Sequence, residues 1–291
     1  MSETTVLVDY ESELERLHKT FKKREVRIRQ PRVKSDFPEL IVDVPDSWPS
    51  IKLAPLYDVH KGSGEHDKTL FERHQNWLVE TPNVLTWDGG DLFDNATKES
   101  PGASVYFQGG SPTAQFSEAV EAIAPIQHKT LFKIPGNHED RTLTSSGHDI
   151  GKLVSEFLKV PYFPDYCFCV IRWREQKFRL LAHHGTGAAA TAGAQRNAAR
   201  KDIGWAKFDL YWTGHLHQAL VDPIYMIDYD QKTDRPVERT AMVMISPSYV
   251  KYFGGYAAKK RLAPGSRGLA VAELQEDGRI DVSLHARGER L

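Results

Sequence analysis

The chain has 291 residues, 40% hydrophobic and 26% charged, proportions that exclude wholesale disorder and leave ample length for a buried core. Thirty-eight Lys and Arg oppose thirty-nine Asp and Glu, so the net charge of -1 supplies no global attraction to nucleic acid or to a membrane. No apolar run approaches the roughly 18 residues of a spanning helix, and the polar, acidic start is unlike a signal peptide, so a cytoplasmic protein is expected.

Residues 1–36 are expected to form a basic arm ahead of a domain over 37–291. Within the arm, 11–21 read as a short helix. The stretch from His18 to Lys34 carries Lys19, Lys22, Lys23, Arg24, Arg27, Arg29, Arg32 and Lys34 against the single Glu25. Such a run can contact phosphates or lie as a solvated arm. Short apolar runs then alternate with amphipathic helices, the pattern of an α/β protein. Residues 51–57 are apolar enough for a buried strand. Leu70, Phe71, His74, Trp77 and Leu78 share one helical face. Residues 84–87 form a second strand, and a loop runs over 95–115. Phe116, Ala119, Val120 and Ile123 mark a helix that Pro125 helps to end, and 130–134 is a third strand. Ile150, Leu153, Val154, Phe157 and Leu158 mark another helix, stopped by Pro161.

The second half opens with a hairpin, 166–173 with 177–183. Cys167 and Cys169 share a face of its first strand and read as small buried residues rather than a metal clip. An Ala-rich helix spans about 188–201, and 208–213, 221–228 and 240–245 are further strands. The segments 270–274 and 280–284 pair around the Asp277-Gly278 turn.

Five apolar runs end in residues of the metal-ligating kind. They are Asp58-Val59-His60, Asp91-Leu92-Phe93-Asp94, Asn137-His138-Glu139, His183-His184-Gly185 and His215-Leu216-His217, and they hold six of the twelve histidines. In an open α/β sheet the carboxyl ends of strands form the ligand crevice, so five such ends can meet at one site. Asp58 and His60 are two apart, as are His215 and His217, and on extended backbone each pair points to one side. A carboxylate between two such halves can bridge cations about 3.5–4 Å apart. Mixed His, Asp and Asn donors without thiolate suit manganese, iron or zinc.

These stretches, in this order, resemble the calcineurin-like metallophosphoesterases, whose pattern runs D-x-H, G-D-x-x-D, G-N-H-D/E, H and G-H-x-H. The resemblance covers about residues 51–220. It implies a four-layer sandwich of two mixed β-sheets flanked by helices, and a centre of two divalent ions, manganese first, with iron, zinc or nickel as the other candidates. On that resemblance Asp58, His60 and His217 would hold one ion and Asn137, His184 and His215 the other, with Asp91 bridging. A metal-bridging hydroxide would attack phosphorus while His138, oriented by Asp94, protonates the leaving group. One of His183 and His184 is the expected ligand. Placement before Gly185 favours His184, leaving His183 to support the ligands from behind or to face phosphate. Glu139 is expected to bond the backbone of its own loop. Tyr57 stands where the family commonly has Gly or Ser, and would narrow the cleft or pack beneath the metals.

The motifs point to phosphoester hydrolysis without naming the substrate. Arg141 is placed to meet a phosphate oxygen or to pair with Asp140 or Asp149. Tyr106 and Phe107 are available to stack on a ring. Arg196, Arg200 and Lys201 beside a Gly/Ala-rich segment, with Lys259, Lys260, Arg261 and Arg267, would supply charge to a DNA or RNA backbone. The expected function is therefore a phosphodiesterase acting on nucleic acid or nucleotide diesters. The alternatives are a phosphomonoesterase on a small metabolite or phosphoprotein, and a non-catalytic scaffold of the same fold.

Overall fold

The alternating apolar runs settle into two mixed β-sheets. The computed structural model describes residues 10–31, 36–98, 100, 104–189, 191–230 and 233–286. Arg32, Lys34 and the side chain of Phe107 lie outside the described residues. In chain order the strands are β1 (Arg27–Arg29), β2 (Glu39–Asp43), β3 (Ile51–Leu53), β4 (Val84–Asp88), β5 (Thr130–Lys133) and β6 (Tyr166–Trp173). They continue with β7 (Gln176–His183), β8 (Leu210–Thr213), β9 (Leu220–Asp230), β10 (Arg235–Ile245), β11 (Gly268–Leu274) and β12 (Ile280–Ala286). The seven-stranded sheet has the order β1-β2-β6-β7-β8-β10-β9 and the five-stranded sheet β12-β11-β3-β4-β5.

The α-helices are α1 (Tyr10–Thr20), α2 (Lys68–Glu80), α3 (Ser104–Phe107), α4 (Pro112–Ile123), α5 (Asn137–Ser146), α6 (Ile150–Leu158), α7 (Ala192–Ala199) and α8 (Tyr256–Lys259). The faces predicted from spacing on α2, α4 and α6 are the ones that pack, except that Leu153 of α6 is exposed. Leu70, Phe71, Leu78, Ala119, Ile123, Val154 and Leu158 join Ala54, Val84 and Val271 in one cluster on the outer face of the five-stranded sheet. Ala199 of α7 packs on Leu181, Tyr211 and Val243 on the other sheet's outer face. Between the sheets lies the main core, in which Leu53, Leu85, Trp87, Cys169, Ile171, Trp173, Leu180, Trp212 and Met244 are fully or nearly fully buried. Each such side chain stabilises the fold by about 1.5–3 kcal/mol. Cys167 and Cys169 are free thiols inside this core.

Several boundaries differ from the expectation. The first strand stops at Leu53, and Leu56 makes only an isolated bridge to Asp88. After α4 the chain tightens into a 3-10 turn over Ala124–Lys129, since Pro125 can start such a turn but cannot continue the α-helix behind it. The strands expected at 221–228 and 240–245 are one long hairpin, β9 with β10. Part of the basic segment is built into the fold: Val26 is buried and β1 pairs with β2, Arg29 meeting Asp43 at 3.0 Å. Arg24 donates to the carbonyls of Thr130 and Lys159. Thr130 begins β5, so this arginine sits at the end of the strand opposite its carboxyl terminus. No helix among the described residues is long and apolar enough to cross a membrane.

Candidate metal centre

The five ligand-bearing stretches converge because each follows the carboxyl end of a strand. Asp58 and His60 lie beyond β3, Asp91 beyond β4, Asn137 and His138 beyond β5, His184 directly after β7, and His215 and His217 beyond β8. Both sheets therefore contribute. The backbone at these residues is not extended: Asp58, His60, Asp91, His215 and His217 have φ of 50°, 49°, 54°, 64° and 52°. The left-handed region costs a residue with a β-carbon of the order of 1–2 kcal/mol, and such strain persists where the surroundings over-determine it. The two-residue spacing thus brings the side chains together through tight left-handed turns rather than through a flat strand.

Close approach of the loops demands glycine at two points. A β-carbon on Gly136 would stand 2.1 Å from Asp91 Oδ1, and one on Gly214 would meet the Tyr57 ring at 2.4 Å and Asp58 Oδ2 at 2.6 Å. Tyr57 itself lies under the site, fully buried, with its hydroxyl between Trp87 Nε1 at 3.1 Å and the Trp212 carbonyl.

The two carboxylates are each half occupied by backbone. Asp58 Oδ2 accepts the His215 N–H at 2.8 Å, and Asp91 Oδ1 accepts the His138 N–H at 2.8 Å. Their other oxygens face the imidazoles. Asp58 Oδ1 is 3.3 Å from His217 Nε2 and 4.0 Å from His60 Nε2, yet it is buried with no hydrogen-bond partner. Asp91 Oδ2 lies 3.7 Å from His60 Nε2 on one side and 3.4 Å from His184 Nε2 on the other. Asn137 Oδ1 is 3.3 Å from His184 Nε2 and 2.9 Å from His215 Nδ1.

Donor atoms of Asp58, His60 and His217, of Asp91, His184 and His215, and of His60, Asp94 and His138, lie within 4.8 Å of one another in each group. These buried groups can hold metal ions. An orphaned, fully buried carboxylate oxygen is a costly feature that a cation would satisfy. The electrostatics agree. Burial keeps the imidazoles of His60 and His215 below their ordinary pKa, in the neutral form that ligates. Burial alone would raise Asp91 and lower His184. Instead His138 and His184 hold Asp91 well below the carboxylate range, and Asp91 with Asp58 lifts His184 to about 10. A cation at this place would displace the His184 proton.

His138 and Asp94 stand beside this cluster. Asp94 offers its carbonyl to His138 Nδ1 at 2.5 Å, and its carboxylate lies 3.4 Å from the same nitrogen. The bonds that His138 and His60 make to that carboxylate overcome its burial and hold it ionised. Arg141 reaches neither Asp140 nor Asp149. Its guanidinium donates to the Asp94 carbonyl at 2.9 Å and to His138 Nε2 at 2.8 Å.

His183 is not in the cluster. Its Nε2 bonds Asp202 at 2.8 Å and its ring packs on Tyr166, because consecutive residues of a strand point to opposite faces. Arg196 and Arg200 both turn to Asp222, and Arg267 to Asp67. Tyr106 is exposed.

Two supporting groups escaped the sequence reading. Asn95 donates to the His138 carbonyl at 2.7 Å and shares two bonds with Thr142. Lys133 is fully buried, 2.5 Å from Asp88 and 3.3 Å from Glu139. Glu139 in turn accepts the N–H groups of Asp91, Leu92 and Gly136, so it ties the second and third stretches together and not only its own loop. A lysine inside the apolar run 130–134 was the available signal, since lysine is almost never buried without a partner.

A cavity of about 390 Å³ adjoins the cluster. Its inner wall is His60, Asp91, Asn137, His138, His215 and His217, and its outer wall includes Leu216, Val250, Lys251, Tyr252, Leu262 and Ala263. Comparison with known proteins adds no relative: no protein-family model matches the chain, and no curated protein matches it.

Proposed function

We propose that the chain is a dinuclear metal-dependent phosphoesterase of the calcineurin-like kind, in a four-layer sandwich, acting on small phosphodiesters of nucleotide size. The observation that carries this reading is the position of Asp91 Oδ2, within 3.7 Å of an imidazole from each of the two ligand groups. Asp58, His60 and His217 would hold one ion, Asn137, His184 and His215 the other, and Asp91 both. Bound there, two divalent ions, manganese first, supply Lewis acidity to a phosphoryl oxygen and acidify a water near neutral pH.

The chain's own residues do the rest. The Asp94 carbonyl fixes the Nδ1 proton of His138 and leaves Nε2 directed at the cavity. Burial lowers the His138 pKa, but Asp91 and the Asp94 bond outweigh it and raise it. A protonated Nε2 can give its proton to a departing ester oxygen. It cannot also accept from Arg141, so protonation of His138 breaks that contact and leaves the guanidinium on the Asp94 carbonyl.

The cavity supports the diester preference. Its apolar outer wall gives a second ester substituent a place, and its size suits one nucleoside-sized group rather than a duplex. Three of the arginines that could follow a polymer backbone are held by other groups, Arg196 and Arg200 by Asp222 and Arg24 by backbone carbonyls. The test is hydrolysis of bis-p-nitrophenyl phosphate against p-nitrophenyl phosphate after EDTA treatment and reloading with Mn²⁺. We expect the diester to be preferred, and His138→Ala to lose about 10²–10⁴-fold with its fold intact. Preference for the monoester overturns the substrate class. Unchanged turnover in His138→Ala overturns the mechanism.

A further inference from the structure

Strand β9 closes one side of the seven-stranded sheet, and no strand among the described residues lies beside its outer edge. The Met242 N–H donates to the Asp209 carbonyl on the β8 side, so its partner on β9, Pro223, turns its own backbone groups to the open edge. Pro223 therefore costs no ladder bond. Alternation extends the same orientation to Tyr225, Ile227 and Tyr229. The Tyr229 N–H meets the Asp228 carboxylate at 2.9 Å, a local partner for an edge donor.

The side chains of these three residues stand on one face and are 80%, 74% and 67% exposed. That face continues the inter-sheet core. Met242 packs against the core, whereas Thr240, Glu238 and Pro236, opposite Tyr225, Ile227 and Tyr229, are exposed. The hairpin has outrun the second sheet. A long apolar edge of this kind is a template for pairing, and natural sheets ordinarily blunt it.

We propose that this edge is a homodimer interface, in which two copies pair β9 with β9, antiparallel, about a two-fold axis through Ile227. The segment Tyr225-Met226-Ile227-Asp228-Tyr229 is symmetric on its exposed face. The axis sets Ile227 opposite itself and Tyr225 opposite the partner subunit's Tyr229, as an isologous contact requires. The aspartates add a preference to that symmetry. Axes through 225, 226, 228 or 229 place one of Asp222, Asp228 and Asp230 opposite another, a like-charge pairing softened because Asp222 already meets Arg196 and Arg200, and Asp228 meets Arg239 and Lys207. The axis through Ile227 sets Asp228 opposite the partner's Met226 and Asp230 opposite the partner's Ile224. All three edge residues then sit in hydrogen-bonded positions, so the backbone contributes as well as the side chains once the Tyr229 N–H exchanges the Asp228 carboxylate for the partner's carbonyl.

The test is sedimentation of the full chain over the micromolar range, with Ile227→Lys and Ile227→Pro as variants. We expect the wild type to dimerise and both variants to be monomeric with unchanged circular dichroism. Lysine sets two ammonium groups face to face, and proline removes only the edge N–H. Oxidation of Ile227→Cys checks the register, because the native cysteines are buried and hydrogen-bonded pairs lie about 5.5 Å apart at Cα, within disulfide reach. Ile227→Cys should crosslink and Tyr225→Cys should not. A monomeric wild type, a dimeric Ile227→Lys, or equal crosslinking by the two cysteine variants overturns the proposal, as does a monomer that pairs only with a different protein.

Discussion

At the scale of single residues, the centre rests on polar groups that are costly unless matched. Lys133, Asp88 and Glu139 form a buried triad with two negative charges and one positive, joined to the backbone of the loops that carry Asp91 and Asn137. Burial and the neighbouring Glu139 raise Asp88, against the opposing pull of Lys133 and of the Gly90 N–H. Lys133→Met leaves both carboxylates unpaired in the interior, so we expect a loss of about 3–5 kcal/mol in urea unfolding. Lys133→Arg, which keeps the charge, should recover part of it. His74 gives a pH signature away from the candidate centre. Burial pushes its imidazole down to about 3 from 6.5, with Nδ1 bonded to the Tyr249 hydroxyl. The unfolded chain takes up this proton below pH 6.5 and the folded chain does not, so the stability His74 contributes is complete above pH 6.5 and declines as pH falls towards 3. The slope is at most about 1.4 kcal/mol per pH unit. In EDTA-treated protein, His74→Gln should flatten the fall in unfolding free energy between neutral and acid pH; an unchanged slope would contradict this assignment.

At the scale of elements, the sheets are short rods that deliver loops to one edge. Gly136 precedes α5 and lets the third stretch touch the second. Its backbone is not left-handed, so Gly136→Ala fails through contact with Asp91 alone. We expect that variant to fold and to bind Mn²⁺ at least tenfold more weakly by titration; unaltered affinity would show that the loops can part. Most of these elements were legible because apolar spacing reports packing directly, as on α2, α4 and α6. Helix α5 was not, because only Glu139 of its residues is buried, leaving no apolar stripe to read. Its signals were acidic residues in the first turn and Gly147 in the left-handed C-cap. Strand β1 was hidden by the basic residues around it, and β2 by its brevity, a short apolar run between Glu39 and Asp43. The extent of β9 and β10 was hidden because half of each strand faces solvent.

At the scale of the whole molecule, convergence of the five stretches could be read from order and spacing, since carboxyl ends of strands share an edge. What lay beyond reading was conformation and partner choice. The left-handed turns at Asp58, His60, Asp91, His215 and His217 depend on contacts from both sheets. The turn of Arg141 to His138, and of Arg196 and Arg200 to Asp222, depends on residues between 3 and 26 positions away. The proposed centre requires one carboxylate, Asp91, to join two ions at this edge. Mn²⁺ titration of EDTA-treated protein, followed by electron paramagnetic resonance, on the wild type and Asp91→Asn tests this. Two ions per chain with an exchange-coupled spectrum are expected for a separation of about 3.5–4 Å, and Asp91→Asn should lose that coupling. A single ion per chain, or two uncoupled ions in the wild type, would contradict that requirement.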